Sequence, residues 1–295
     1  WLLPLVLWAC SDPPILATAD TAAPASGAEE SSTASTTDSS GDGDDTDVGD
    51  SDDSDSDDPG DSGDPSDSGD TGSRFSKSPK RGIAYDLTDP ADFAALEPGV
   101  SWSANWYFGT SADPEVAAAS EVEFVPMLWG YNGESDYAAL EAWFLAHPDT
   151  DDLLLLNEPN LVDQANMQPA AAVPYWRRYE QFRDDMASRH GRTIRLIGPA
   201  MTWGTLPGYG DPIVWLDAFL AAFEAEHGRP PHIDALAFHW YDYGLEEQLD
   251  RLEGFGKTFW VTEMANWHTA DDWTIDTPEK QMATMIDMVA ICEAR

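Results

Sequence analysis

The sequence predicts an α/β protein built as a (β/α)8 barrel, and three observations predict it. From Arg81 onward, short apolar runs alternate with longer helical patterns, the order that makes a sheet covered by helices. The run at 153–156 is apolar at every position, as expected of a parallel strand buried on both faces. Strand–helix repeats follow one another seven times, and no Gly-rich phosphate fingerprint follows the first run. That count and that absence suit a barrel better than a doubly wound sheet.

Taken in order, the first run (82–85) leads to a helix at 90–96, and the second (101–107) to a helix at 114–120 that opens on Asp113-Pro114. An acceptor side chain followed by proline is helix-start chemistry, because proline lacks an N–H that the first turn could not use. The third run (122–128) precedes a helix at 136–147, and the fourth (153–156) precedes one at 170–190. The fifth (194–197) leads to 212–227, again opened by Asp211-Pro212. The sixth (233–238) leads to 245–252. The seventh (258–262) leads to 278–293, opened by Thr277-Pro278 and running into the last residues. No apolar run is left for an eighth strand, so the barrel is expected to be truncated before strand 8. One more strand, loop and helix would add about 25–40 residues.

Ahead of the barrel the texture differs. The chain opens WLLPLVLWAC, without a starting methionine. Residues 1–10 read as a partial signal-peptide core ending in Leu7-Trp8-Ala9-Cys10, which resembles a bacterial lipobox with Cys10 as the lipidated residue. Residues 11–80 are rich in Ala, Thr and Ser, then almost purely Asp, Ser and Gly. They have little apolar area to offset backbone entropy and are expected to form a disordered, self-repelling linker. Their aspartates do not have the glycine and distal glutamate of an EF-hand loop. The domain expected to fold is therefore 81–295, exported and placed at the cell surface by the lipid, or otherwise secreted.

Charge narrows the function. Lys and Arg total 15 against 55 Asp and Glu, a formal net charge of −40. Residues 1–80 hold 19 of the acids and three of the bases, so the barrel region is acidic in its own right. Nucleic-acid binding is excluded for want of a basic face, and neutral substrates are favoured over polyanions. Cys10 and Cys292 cannot make a disulfide framework, and no apolar stretch is long enough to span a membrane. Membrane contact is expected only through the anchor, and the protein is expected to be a monomer.

In such barrels the chemistry lies just past the C-terminal ends of the strands. Reading there gives Asn157-Glu158-Pro159-Asn160 after the fourth run and Val261-Thr262-Glu263 at the end of the seventh. It also gives Phe238-His239-Trp240-Tyr241 after the sixth run, Asn105-Trp106-Tyr107 after the second and Leu128-Trp129-Gly130 after the third. Two glutamates at one barrel mouth are what glycoside hydrolysis needs: one protonates the leaving oxygen, and the other attacks or activates water. Partial desolvation and mutual repulsion can keep one of such a pair protonated. Trp106, Trp129, Trp240 and Trp267 follow strands at that end, where flat rings stack on sugars. Trp176, Trp203 and Trp215 are expected to be structural. Asp86 ends the first run and is equally readable as a substrate contact or a structural bond. His147, His190, His227 and His232 lie near helix ends, with solvated or capping roles. No residue spacing marks a metal site or a serine elbow, and no cofactor is expected.

The asparagine-glutamate-proline on the fourth strand with Thr262-Glu263 on the seventh resembles clan A glycoside hydrolases. The finer pattern of NEPN, Gly198-Pro199-Ala200, Phe238-His239-Trp240-Tyr241 and Trp260-Val261-Thr262-Glu263 resembles glycoside hydrolase family 128, the glycosyl hydrolase catalytic core group. The resemblance covers residues 81–295. It implies a retaining endo-β-1,3-glucanase acting on a neutral polysaccharide, with Glu158 as acid/base and Glu263 as nucleophile. It further implies that Asn157 bonds a sugar 2-hydroxyl and that Tyr241 or His239 steadies the nucleophile. Asn105, at the end of the second run, is expected at the substrate from its position. Two alternatives stay open. One is a clan A hydrolase for a β-1,4-glucan or mannan, since cleft shape decides linkage. The other is a glycan-binding surface lipoprotein without turnover, which would not need both carboxylates.

Overall fold

The computed structural model describes residues 77–266 and 274–295. Strands and helices alternate: β1 (Gly82–Ala84), α1 (Pro90–Leu96), β2 (Trp102–Ala104), α2 (Pro114–Ala119), β3 (Glu123–Phe124) and β4 (Met127–Leu128). After α3 (Glu134–Ala146) come β5 (Asp152–Leu155), α4 (Pro169–His190), β6 (Arg195–Met201) and α5 (Pro212–His227). The last part holds β7 (Ala235–Trp240), α6 (Leu245–Leu252), β8 (Thr258–Met264) and α7 (Pro278–Ala294).

All pairings are parallel. One sheet runs β1-β2-β3 and the other β4-β5-β6-β7-β8, and β1 lies against β8. This is the alternating, parallel architecture expected, in a (β/α)8-like arrangement. The third run, expected as one strand, is two. Pro126 has no N–H for the ladder, so pairing stops at Phe124 and resumes at Met127. Backbone bonds from Val125 N to Ser103 O (2.8 Å) and Met127 N to Tyr107 O (2.9 Å) carry the chain across the gap.

The helix starts follow the sequence closely. Asp89, Asp113, Asp211 and Thr277 each accept a backbone N–H from the first turn, and each precedes a proline. Helices α4 and α5 end on left-handed Gly191 and Gly228, the residue type that adopts this conformation without a Cβ clash.

Strand alternation divides the core into two layers. Outward-facing Leu153, Leu155, Leu196, Phe238 and Trp240 pack against Phe144, Trp176, Tyr179, Trp215 and Phe219 of the helices. Inward-facing Ala104, Leu154, Ala200, Ala235 and Ala237 form a second, smaller cluster with Trp102 and Met127. Trp102 packs against Trp260 with ring centroids 5.1 Å apart, and its indole lies over Gly82. A Cβ at Gly82 would stand 2.0 Å from that ring. Gly82→Ala is therefore expected to destabilise the fold by about 1–3 kcal/mol through overpacking. A chemical melt of the variant beside the wild type measures it; an unchanged midpoint would refute this packing account.

Candidate active site

Period-two alternation places His239 inside. On β7, Leu236, Phe238 and Trp240 join the outer layer while Ala235 and Ala237 join the inner one, so His239 follows the alanines inward. Glu263 needs a further device. Along β8, Phe259 and Val261 face the helices and Trp260 faces inward, so strict alternation would send Glu263 out with Val261. The register between β7 and β8 shifts there, from Phe238 opposite Val261 to His239 opposite Glu263. The extra residue, Thr262, is a bulge, and it returns Glu263 to the interior. Met264 then faces the outer layer again.

Glu158 comes from the tip of β5. Leu156 (φ 55°) and Glu158 (φ 44°) both adopt left-handed backbone conformations rare outside glycine. Bonds from Asn157 N to Trp129 O (2.7 Å), Glu158 N to Ala200 O (2.8 Å) and Ala200 N to Leu156 O (2.9 Å) hold the turn between β4 and β6.

The three ionisable groups meet. His239 Nδ1 lies 2.8 Å from Glu158 Oε1 and Nε2 lies 3.4 Å from Glu263 Oε1. One ligand-type atom from each of the three residues falls within 4.8 Å of the others. Tyr241 donates its hydroxyl to Glu263 Oε2 and Trp106 its indole N–H to Oε1. Glu158 is 6% exposed and His239 1%. Burial disfavours a charged imidazole, but the Glu263 charge, the hydrogen bond to Glu158 and the Glu158 charge outweigh it and raise His239 above its ordinary value. Burial, then the Glu263 charge and the hydrogen bond to it, push the Tyr241 hydroxyl far above its ordinary value. Tyr241 thus stays a donor over the whole working range. Two glutamates and a histidine are also a donor set of the kind a divalent cation uses. Here each ring nitrogen is already matched to a carboxylate, so the groups satisfy one another.

The cavity at this point is lined by apolar Ala84, Ala104, Met127, Leu154 and Ala200 together with Trp106, His239, Thr262 and Glu263. Trp129 is half-buried against the inner cluster, and its carbonyl holds Asn157. Asn157 donates to Gln164 (3.0 Å), while its buried Oδ1 has no partner among the described residues. Trp106 is exposed at the mouth.

Other expected residues sit elsewhere. Trp240 is buried in the outer layer, stacked on Phe238, with its indole N–H on Tyr243 O; alternation alone sends it opposite to His239. Asn105 is engaged by Asp86 Oδ1 (2.8 Å) and Gly109 O (2.9 Å), and its own oxygen accepts from Tyr107 N. Asp86 also takes Thr110 and Ser111, a structural role. Trp176 and Trp215 are core residues, as expected. Trp203 is not: it is 46% exposed, with Arg251 over its ring. Exposed Tyr107, Tyr131 and Tyr243 also follow strands and were not singled out, although their place just past an apolar run is the signal that marked the tryptophans. His147 and His190 bond Trp143 O and Glu141 at helix ends. Trp267 and Cys10 lie outside the described residues.

Paired glutamates on parallel strands with an imidazole between them are a set able to do acid–base chemistry. The family model described as glycosyl hydrolase catalytic core matches residues 82–294, and the chain belongs to that family. Among solved structures it is similar to a subgroup II endo-β-1,3-glucanase of glycoside hydrolase family 128 from Pseudomonas viridiflava. The two are 52% identical with a TM-score of 0.68, over 75% of this chain and 84% of that one. A second subgroup II endo-β-1,3-glucanase, from Sorangium cellulosum, is 27% identical with a TM-score of 0.56, covering 72% and 81%. A subgroup III curdlan-specific exo-β-1,3-glucanase from Blastomyces gilchristii, solved with glucose, is 28% identical with a TM-score of 0.51, covering 71% and 82%. No curated protein matches.

Replacing Tyr241 with Phe removes one neutral donor from a carboxylate, worth about 1.5–3 kcal/mol. Turnover of glucan is expected to fall roughly 10- to 100-fold, with the melting temperature lower by roughly 3–10 °C. Steady-state kinetics on the purified variant measure it; wild-type turnover would show that the bond does not matter to the reaction.

Proposed function

We propose that the protein is a retaining endo-β-1,3-glucanase, with Glu263 as nucleophile and Glu158 as acid/base. The observation that carries this reading is the separation of the carboxylates. One oxygen of Glu158 and one of Glu263 lie within 4.8 Å of each other, a proximity that suits the roughly 5–5.5 Å carboxyl separation of retaining enzymes. Roles follow from surroundings. Glu263 receives donors from Tyr241 and Trp106, which suit a group that must attack as an anion. Glu158 is paired with the one group able to share a proton with it, His239.

In the first step Glu158 passes a proton to the glycosidic oxygen as Glu263 Oε attacks the anomeric carbon. The C1–O bond to the leaving sugar breaks, and a glycosyl ester forms. In the second, water attacks C1, Glu158 takes its proton and Glu263 leaves as carboxylate. Asn157 Oδ1, unpartnered among the described residues, supports a bond to a sugar hydroxyl. Exposed Trp106, with half-buried Trp129, supports stacking. The β-1,3 linkage and endo action rest on the relative 52% identical. Attachment through Cys10 and a linker over 11–80 belong to the same proposal. Palmitate-analogue labelling that disappears in Cys10→Ala tests the anchor, and an unlabelled wild type refutes it.

Laminarin should release reducing ends where cellulose and mannan do not, and the first product should keep the β configuration by NMR. Glu263→Gln is expected to abolish turnover. Glu158→Gln is expected to slow laminarin by about 10²- to 10⁴-fold, and an aryl β-glucoside oligomer with a good leaving group far less. Inverted product, or equal losses on both substrates, would overturn the assignment. EDTA is expected to leave the rate unchanged.

A further inference from the structure

The imidazole of His239 is placed to do more than hold a neighbour. Its two nitrogens face two different carboxylates, Glu158 at 2.8 Å from Nδ1 and Glu263 at 3.4 Å from Nε2. The ring is 1% exposed, so bulk water does not exchange protons with it freely. If Nε2 keeps its hydrogen toward the Glu263 carboxylate, a single remaining proton lies on the line between Nδ1 and Glu158 Oε1. That proton has two holders at hydrogen-bond distance and no third.

We propose that Glu158 and His239 act as one proton-holding pair, so that the acid of the first step titrates as a dyad and not as a lone glutamate. This rests on the reading of Glu158 as acid/base. Transfer within the pair breaks O–H and forms N–H, with no change in the pair's total charge or proton count. With the proton on Glu158, the carboxyl donates it to the leaving oxygen. Water restores it to the pair in the second step, when Glu158 acts as base. His239 thus acts through Glu158.

The groups facing His239 are few. Glu158 comes from the tip of β5, Glu263 from β8, and Tyr241, two residues on, reaches it through Glu263. Strand β6 offers only Arg195 as an ionisable residue, at its far, exposed end. Both carboxylates favour a proton on the ring against the opposing effect of burial. The ring therefore keeps a proton to higher pH than an imidazole free of these carboxylates would.

The test is the pH profile of kcat/KM on laminarin. In wild type the alkaline limb is expected where the pair loses its proton. In His239→Asn, Glu158 holds the proton alone, and that limb should move down by about one pH unit or more. A purely structural histidine would lower the rate without moving the limb, and an unmoved limb overturns the proposal. Because His239 is buried, the variant's fold is checked by its melt. Imidazole nitrogen NMR of the wild type gives a second route: the His239 resonances should titrate at the pH of the alkaline limb, and titration elsewhere, or none, overturns the proposal as well. If the glutamate variants keep activity or the product inverts, the acid/base reading itself has failed, whatever His239 does.

Discussion

Burying a carboxylate and an imidazole beside a second, half-buried carboxylate governs this fold. Moving an ion out of water costs several kcal/mol even after relaxation, and that cost is offset only when charges are paired with good geometry. The fold meets the condition by bringing each partner from a different strand. Glu158 comes past β5, His239 from β7 and Glu263 from β8, with Tyr241 and Trp106 adding donors to the last. The interior around them is correspondingly plain. Ala84, Ala104 and Ala200 line the cavity and leave room where larger side chains would fill the mouth. The bulky residues are instead moved outward, to the layer of Trp176, Trp215, Phe219 and Tyr179.

Much of this was legible in the residues, for reasons that can be named. Asp or Thr before proline marked the starts at Pro114, Pro212 and Pro278 because capping is a local interaction, complete within three residues; the structure adds Asp89-Pro90. The fully apolar 153–156 announced a strand buried on both sides, and Leu153, Leu154 and Leu155 are in fact divided between the two core layers. The two glutamates were legible because strand ends are where such a fold places chemistry, and their flanking residues matched a known pattern.

What was missed depended on direction rather than position. Trp240 and His239 are neighbours at the same strand end, yet alternation sends one into the helix layer and the other to the carboxylates. Counting forward in twos from Ala235 and Ala237 would have separated them. The shift at Thr262 has no such signature, since no glycine or proline marks it, and only pairing with β7 shows it. Pro126, by contrast, did announce the break between β3 and β4, and the expected single strand ignored a residue that cannot donate to a ladder. Trp203 was misjudged for a third reason: a loop position says nothing of whether the ring turns in or out.

Strain completes the argument. Among the described residues, four that are not glycine have positive φ: Trp106, Leu156, Glu158 and Asn166. Trp106 donates to Glu263, Glu158 pairs with His239, and Leu156 sits two residues before Glu158. Each such conformation costs on the order of 1–3 kcal/mol and persists only where surroundings over-determine it. Here the surroundings are visible. The tip of β5 is tied to β4 through Asn157 N and Trp129 O and to β6 through Glu158 N and Ala200 O, and the loop beyond is closed by Met167 N on Pro159 O (2.8 Å). A relaxed, extended tip would carry the Glu158 side chain away from His239 and leave a buried imidazole with one carboxylate. The strained turn and the ionic cluster therefore stand or fall together: the ladders force the turn, the turn delivers Glu158, and Glu158 completes the environment that makes a charged group tolerable between the strands.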